Sequence, residues 1–313
     1  MFISFRGQRI IAAIAAALLL TVAVATDASA QRRANRDGRS GGENRGGGAA
    51  PADTDANPRS VLEKLDGYVP PAMIADDIRL MIGKVRGREN MAGAVAVQKA
   101  RGGTETGLEP AFVGGAACPE IDSEKWAIDY SHKRPFPAIH KGVDIPRPRG
   151  TPVRAVADGA MVGRFANDGN RKGIEVMLRH APEQTGLPFW TYSQYTHLRE
   201  MSPLPVGTAI RMGQEIGKTS NTGTMGRRVR RDALHFAILY SRSPEWSNDG
   251  RFVMPRDGYW MDPNAFYRRE APWESRSLAA LPDDAKKVPV PYMKPDGTFM
   301  PAGTQRIWPY PCD

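Results

Sequence analysis

His140-Lys141-Gly142-Val143-Asp144-Ile145 sets an imidazole and a carboxylate four residues apart, with a glycine midway. Pro137, Gly142 and Pro146 crowd the stretch and disfavour a helix. In a straight strand the two α-carbons would stand roughly 13 Å apart, awkward for sharing one ion. A bend at Gly142 would bring them together, which gives that glycine a physical task. A second stretch, Ala233-Leu234-His235-Phe236, alternates, so His235 lies on the face opposite Leu234 and Phe236. It can turn to a cleft while its apolar neighbours fill a core. Two imidazoles and one carboxylate form a donor set that zinc accepts. Catalytic zinc sites use three protein ligands and keep one position for water.

Between these two stretches the chain reads as short strands split by turn residues. Ile174, Val176 and Leu178 alternate with Glu175, Met177 and Arg179. Leu234, Phe236, Ile238 and Tyr240 alternate with Ala233, His235, Ala237 and Leu239. Asp158-Gly159, between Val153–Ala157 and Ala160–Phe165, signals a hairpin. The reading is mainly β: a small antiparallel sheet domain spanning 118–241, with a helical segment before it and an irregular wrap after it.

The flanks fall into distinct pieces. Residues 1–30 read as a signal peptide: Arg6 and Arg9, an apolar run from Ile10 to Ala25, then Ala28-Ser29-Ala30. The run is shorter than the roughly 20 residues a spanning helix needs, so no stable membrane span is expected after cleavage. Residues 31–60 hold six Gly, six Arg and four acidic residues and lack aromatic or large aliphatic side chains, so they read as a disordered Gly/Arg-rich tail. Within 61–117, Ser60 is expected to cap Val61–Leu65, and Pro71 to open a helix running to Ile82. Residues 99–117 are Gly-rich and read as loop. Residues 242–313 are rich in Pro, Trp and Tyr and are expected to pack on the sheet domain. A 41% apolar chain with 2 Cys excludes collagen-like and disulfide-dense classes. The formal charge of +9 on an exported chain points to an anionic cell wall rather than nucleic acid. Cys118 and Cys312, alone in an oxidising compartment, are expected to form a disulfide, worth about 5 kcal/mol in the chain-entropy picture.

Three stretches together resemble the lysostaphin-type (LytM-like) zinc metallopeptidases, peptidoglycan endopeptidases. His140–Ile145 matches the family's H-x-G-x-D-[IL] in its essentials, and Gly150-Thr151-Pro152-Val153 with Ala157-Asp158-Gly159 follows as in the family. Tyr195-Thr196-His197-Leu198 matches Y-x-H-L, and Gly213-Gln214-Glu215-Ile216-Gly217 matches the next turn and strand. Leu234-His235-Phe236 matches the end of H-L-H-F-E. The resemblance covers about a hundred residues in order. It implies a lysostaphin-like sheet domain and Zn2+ held by His140, Asp144 and His235. It also implies that His197 handles the proton of the attacking water.

One position departs from the pattern. Where the family has the first His of H-x-H, this chain has Ala233, expected on the same strand face as His235. Losing one general acid or base typically costs about 10²–10⁴-fold in rate. His132, Tyr195 and Asp232 are the candidate substitutes. Two readings therefore stand: a secreted or periplasmic zinc endopeptidase acting on peptidoglycan, or a zinc-holding module that binds peptidoglycan or activates another cell-wall hydrolase. Tyr195, Arg228 and Arg231 are candidate substrate contacts, Arg being suited to stem-peptide carboxylates. Gly213–Thr219 is not a phosphate loop, because its glycines are separated by three residues and not four.

Overall fold

The computed structural model describes residues 57–82, 91–123, 125–131, 139–166, 172–224 and 231–313. The expected signal peptide, almost all of the 31–60 tail, His132 and Arg228 lie outside the described residues.

Three helices come first: α1 (Arg59–Leu62), α2 (Asp76–Ile82) and α3 (Met91–Ala100). The strands are β1 (Glu109–Phe112), β2 (Val143–Pro146), β3 (Pro152–Arg154), β4 (Gly159–Phe165), β5 (Ile174–His180), β6 (Trp190–Leu198), β7 (Ala209–Ile210), β8 (Glu215–Lys218), β9 (Ala233–Ser241), β10 (Trp246–Asn248), β11 (Val253–Pro255), β12 (Tyr259–Met261), β13 (Lys287–Val290), β14 (Tyr292–Met293) and β15 (Phe299–Met300). The main antiparallel sheet runs β12-β9-β6-β5-β4-β7, and β2 joins the same edge of β9 as β12. Residues 233–236 of β9 pair with β2, whereas residues 238–240 pair with β12. The whole is mainly β, as the alternation implies.

The pleat assigns the two faces. Val143, Ile145, Leu234, Phe236, Ile238 and Tyr195 are buried on one face, beneath the small β3–β8 sheet. Tyr195 seals that contact by accepting a hydrogen bond from the Val156 amide at 3.1 Å. The opposite face follows from the register Asp144↔His235↔Thr196, Ala237↔Gln194 and Trp260↔Leu239↔Tyr192↔Arg179.

The N-terminal segment covers the far end of that second face. In α2, Asp76 and Asp77 sit where the helix dipole favours anions, and Ile78, Met81 and Ile82 form its buried stripe. Trp260 donates its indole N–H to the Met81 carbonyl at 3.0 Å, and its backbone N–H to the Arg101 carbonyl at 2.8 Å. Further along, the Arg179 guanidinium lies 3.6 Å from the Trp190 ring centroid and also faces Trp246. Trp246 is strapped to the chain entry by backbone bonds to Gly67 and Val69.

Several local expectations change. Helix α1 begins at Arg59 after Pro58, so Ser60 lies within it and does not cap it. Pro71–Met73 is a separate 3₁₀ turn, ended by the extended backbone of Ile74, before α2 starts afresh. The expected loop 99–117 contains β1, which pairs in parallel with β13 from the far end of the chain. The sheet also runs past Ser241, because β12 completes it. Asp158-Gly159 is not a hairpin turn: β3 pairs with β8, while β4 pairs with β5 and β7. Gly159 is needed for space, since a Cβ there would lie 2.5 Å from the Arg179 carbonyl oxygen. Each of these changes in pairing involves a partner remote in sequence.

Cys118 and Cys312 are disulfide-bonded, with α-carbons 4.5 Å apart. The last residues lie along the β3–β8 side: Pro309 accepts from the Arg154 amide, and Tyr310 shares a 2.7 Å hydrogen bond with Thr219.

Candidate metal centre

His140, Asp144 and His235 converge on the second face of the sheet, at the β2 half of β9. Asp144 and His235 are directly opposite in register, so the ladder itself places them side by side. His140 arrives through a bend at Gly142, just before β2. That glycine has no left-handed backbone; its requirement is space, because a Cβ would lie 2.5 Å from His235 Nε2. The bend agrees with the sequence reading, and the close approach to His235 adds a second reason for the glycine.

The donor atoms face one another. His140 Nε2 is 3.1 Å from His235 Nδ1, His235 Nδ1 is 2.9 Å from Asp144 Oδ1, and His140 Nε2 is 3.5 Å from Asp144 Oδ1. With metal–ligand distances of about 2.0–2.1 Å, the edges of a tetrahedral zinc site measure roughly 3.3 Å. The three separations therefore suit a single small cation. His140 Nδ1 donates to the Lys125 carbonyl at 3.2 Å, which orients the ring and turns Nε2 inward. Their side chains keep 10–15% of their exposure, so the cluster is recessed and not sealed.

Electrostatics favour the forms that ligate. Burial opposes the Asp144 charge, but hydrogen bonds and charge from His140 and His235 outweigh it and hold the carboxyl well below its usual range. Burial lowers His235 to about 4, against the pull of Asp144, so its imidazole is neutral at pH 7.

His197 stands next to this group, its ring centroid 6.1 Å from that of His235. Its φ is +64°, a left-handed conformation that is uncommon for a residue with a Cβ. The register supplies the cause: Tyr195 and Leu198 of β6 face Val176 and Ile174 of β5, leaving one extra residue on β6. This bulge turns His197 out of the strand's ordinary alternation. Nδ1 donates to the Thr222 carbonyl at 2.7 Å, leaving Nε2 as an acceptor, and burial lowers the pKa of the ring.

Ala233 sits on the His235 face opposite Pro146, its N–H bonded to the Ser220 carbonyl at 3.1 Å. Of the candidate substitutes, Tyr195 is fully buried on the other face and lines no cleft, because its hydroxyl is held by Val156. Asp232 approaches Arg149 at 3.8 Å, and His132 lies outside the described residues. Arg231, expected to contact substrate, is engaged within the site: it pairs with Asp122, and its Nη2 is 3.4 Å from Asp144 Oδ2. His180 is structural, donating from Nδ1 to the Asp158 carbonyl and accepting from Ser193.

Asp122, Lys125 and Thr196 carry no signal of this role in the sequence. The first two precede the motif by 15 or more residues, and Lys125 acts through its carbonyl, which no side-chain pattern reveals. Thr196 faces His235 across the ladder with its Oγ1 buried and without a hydrogen-bond partner. The Y-x-H-L reading leaves that position open.

The described residues thus combine an antiparallel sheet with a recessed His–Asp–His cluster that could hold a metal ion. Residues 138–247 match the model of Peptidase family M23, whose members are metallopeptidases, and the similarity is confined to this segment of the chain. An uncharacterized metalloprotease of Haemophilus influenzae is 38% identical over 84 residues, 27% of this chain. The chain spans 16% of that relative's length. Among solved structures, the catalytic domain of lysostaphin from Staphylococcus simulans is similar at 28% identity, covering 34% of this chain and 73% of that one, with a TM-score of 0.27. A mutant catalytic domain of the prophage-encoded M23 protein EnpA from Enterococcus faecalis is 19% identical, covering 44% and 91%, with a TM-score of 0.31. No helix among the described residues is long and apolar enough to cross a membrane.

Proposed function

We propose that this protein is an exported zinc peptidase that hydrolyses peptide bonds of peptidoglycan stem peptides or cross-bridges. The observation that carries the reading is the convergence of His140 Nε2, Asp144 Oδ1 and His235 Nδ1 at 2.9–3.5 Å. Those three residues would hold the ion, which when bound polarises the scissile carbonyl and acidifies water. His197, neutral and fixed through Nδ1 on Thr222, takes the proton of the attacking water at Nε2 and returns it to the leaving amine. Residues 1–30 direct export, and the basic surplus of the chain favours an anionic wall.

A second reading is favoured by Ala233: a zinc-holding module that binds peptidoglycan or activates another cell-wall hydrolase. Metal analysis of the purified protein, followed by digestion of purified peptidoglycan and identification of the fragments, separates the readings. Stoichiometric zinc and new amino termini support the peptidase. Zinc with binding but no cleavage favours the module, and absence of zinc binding overturns both.

A further inference from the structure

We propose that Arg231 is a positioning residue of the metal centre: anchored by Asp122, it occupies the outer oxygen of Asp144 and so makes that carboxylate a one-oxygen ligand. This rests on the metal-binding reading above. Asp144 divides its two oxygens. Oδ1 faces His235 at 2.9 Å and His140 at 3.5 Å, whereas Oδ2 faces Arg231 Nη2 at 3.4 Å. The other terminal nitrogen, Nη1, pairs with Asp122 Oδ2. A guanidinium is planar and spreads its donors in a fork, so it can hold two carboxylates at a fixed angle; an ammonium, a point charge, cannot.

A positive side chain beside a cation site demands a reason, and Asp122 provides it. With Asp122⁻ and Asp144⁻ flanking Arg231⁺, the trio carries one net negative charge towards the ion. Alone, Arg231 would compete with the ion for Asp144. Asp122 is also tied to its target through the backbone, its N–H donating to the Asp144 carbonyl at 3.0 Å. The segment bearing it is secured nearby by the Cys118–Cys312 disulfide and by the Trp308 indole N–H on the Pro119 carbonyl. The site is thus built from three remote parts of the chain: the pre-motif segment, the motif and the entry to β9. A carboxylate free to bind through both oxygens would take up the coordination position that water or a carbonyl must enter.

The test uses the full mature chain and its Arg231→Ala, Arg231→Lys and Asp122→Asn variants. Zinc affinity is measured by chelator competition, and coordination is read from the visible spectrum of the cobalt(II)-substituted protein. Arg231→Ala is expected to weaken zinc binding by about 10–100-fold, the usual cost of losing such a support. Its cobalt bands should weaken as a fourfold site gains a fifth ligand oxygen. Arg231→Lys should restore affinity only in part. Asp122→Asn keeps the size of the side chain and leaves Arg231 to compete with the ion for Asp144, so it should weaken zinc binding without the fivefold spectrum even if Arg231→Ala fails to fold. If wild type binds zinc, Asp122→Asn matches it in affinity and the folded Arg231 variants match it in affinity and spectrum, the clamp is wrong while the metal reading survives. If wild type binds neither zinc nor cobalt, the metal reading falls and takes the clamp with it.

Discussion

The two halves of β9 share a strand, a face and an edge, yet serve opposite ends. At residues 233–236 the partner is β2, and the face gathers Asp144, His235 and Thr196 into a recessed polar group. At residues 238–240 the partner is β12, and the same face lies under Trp260 (2% exposed) and the fully buried Met81 of α2. Alternation along β9 is the same in both halves. What differs is the covering: the N-terminal segment and the chain after Ser241 seal one half, whereas the side chains of the other keep 10–15% of their exposure. The helical segment therefore forms part of the fold of this domain and shortens the exposed floor beside the metal centre.

The largest expected effect breaks the polar half. Asp144→Ala should abolish zinc retention and reduce peptidoglycan hydrolysis to the uncatalysed level, checked by metal analysis and digestion. Survival of activity would place the site elsewhere. In the covered half, Trp260→Ala should cost about 3–5 kcal/mol by chemical denaturation, since it empties a sealed position and orphans the Met81 carbonyl. Zinc content per folded molecule should stay the same. A loss of zinc there would show that the halves are coupled.

A change in pH sharpens the contrast between a structural histidine and the site. His180, lowered to about 4 by burial, is neutral when folded but protonates near 6.5 when unfolded. The unfolded state therefore binds more protons as pH falls from about 6.5 to about 4. The contribution of His180 should fall by about 3 kcal/mol across that window, while Asp262, raised to about 6 by burial, pulls the opposite way. His235 pulls in the same direction as His180 in metal-free protein. Urea midpoints measured against pH for wild type and His180→Gln isolate the histidine, and a difference between them that does not change with pH would contradict its burial. The smallest effect expected is for Ala233→His: a gain of about 10²-fold or less in hydrolysis rate. An unchanged rate would mean that another group already serves that position.

Much of the site is legible in the sequence because its residues lie close in the chain or on one strand face. His140, Asp144 and His235 follow from donor chemistry and pleat. His197 follows from its motif, but its left-handed backbone depends on a bulge that only the β5 register creates. Arg231 illustrates the opposite case. Its sequence context, a basic run before a ligand strand, suggests a rim contact, and the structure turns it inward onto Asp122 and Asp144. Tyr195 likewise reads as a groove residue until its packing beneath Val156 places it in the core.

By itself, the sequence determined the period-two pattern, the donor set, the pairing of the two cysteines and the missing imidazole at 233. The first three follow from local chemistry and composition, and the last from the resemblance to the lysostaphin-type pattern. Only the tertiary structure decided which half of β9 stays open, that β3 pairs with β8 rather than β4, and that Asp122 reaches Asp144 through Arg231. Each of those depends on contacts between segments far apart in the chain, and a strand's alternation says which side a residue faces, not what comes to cover it.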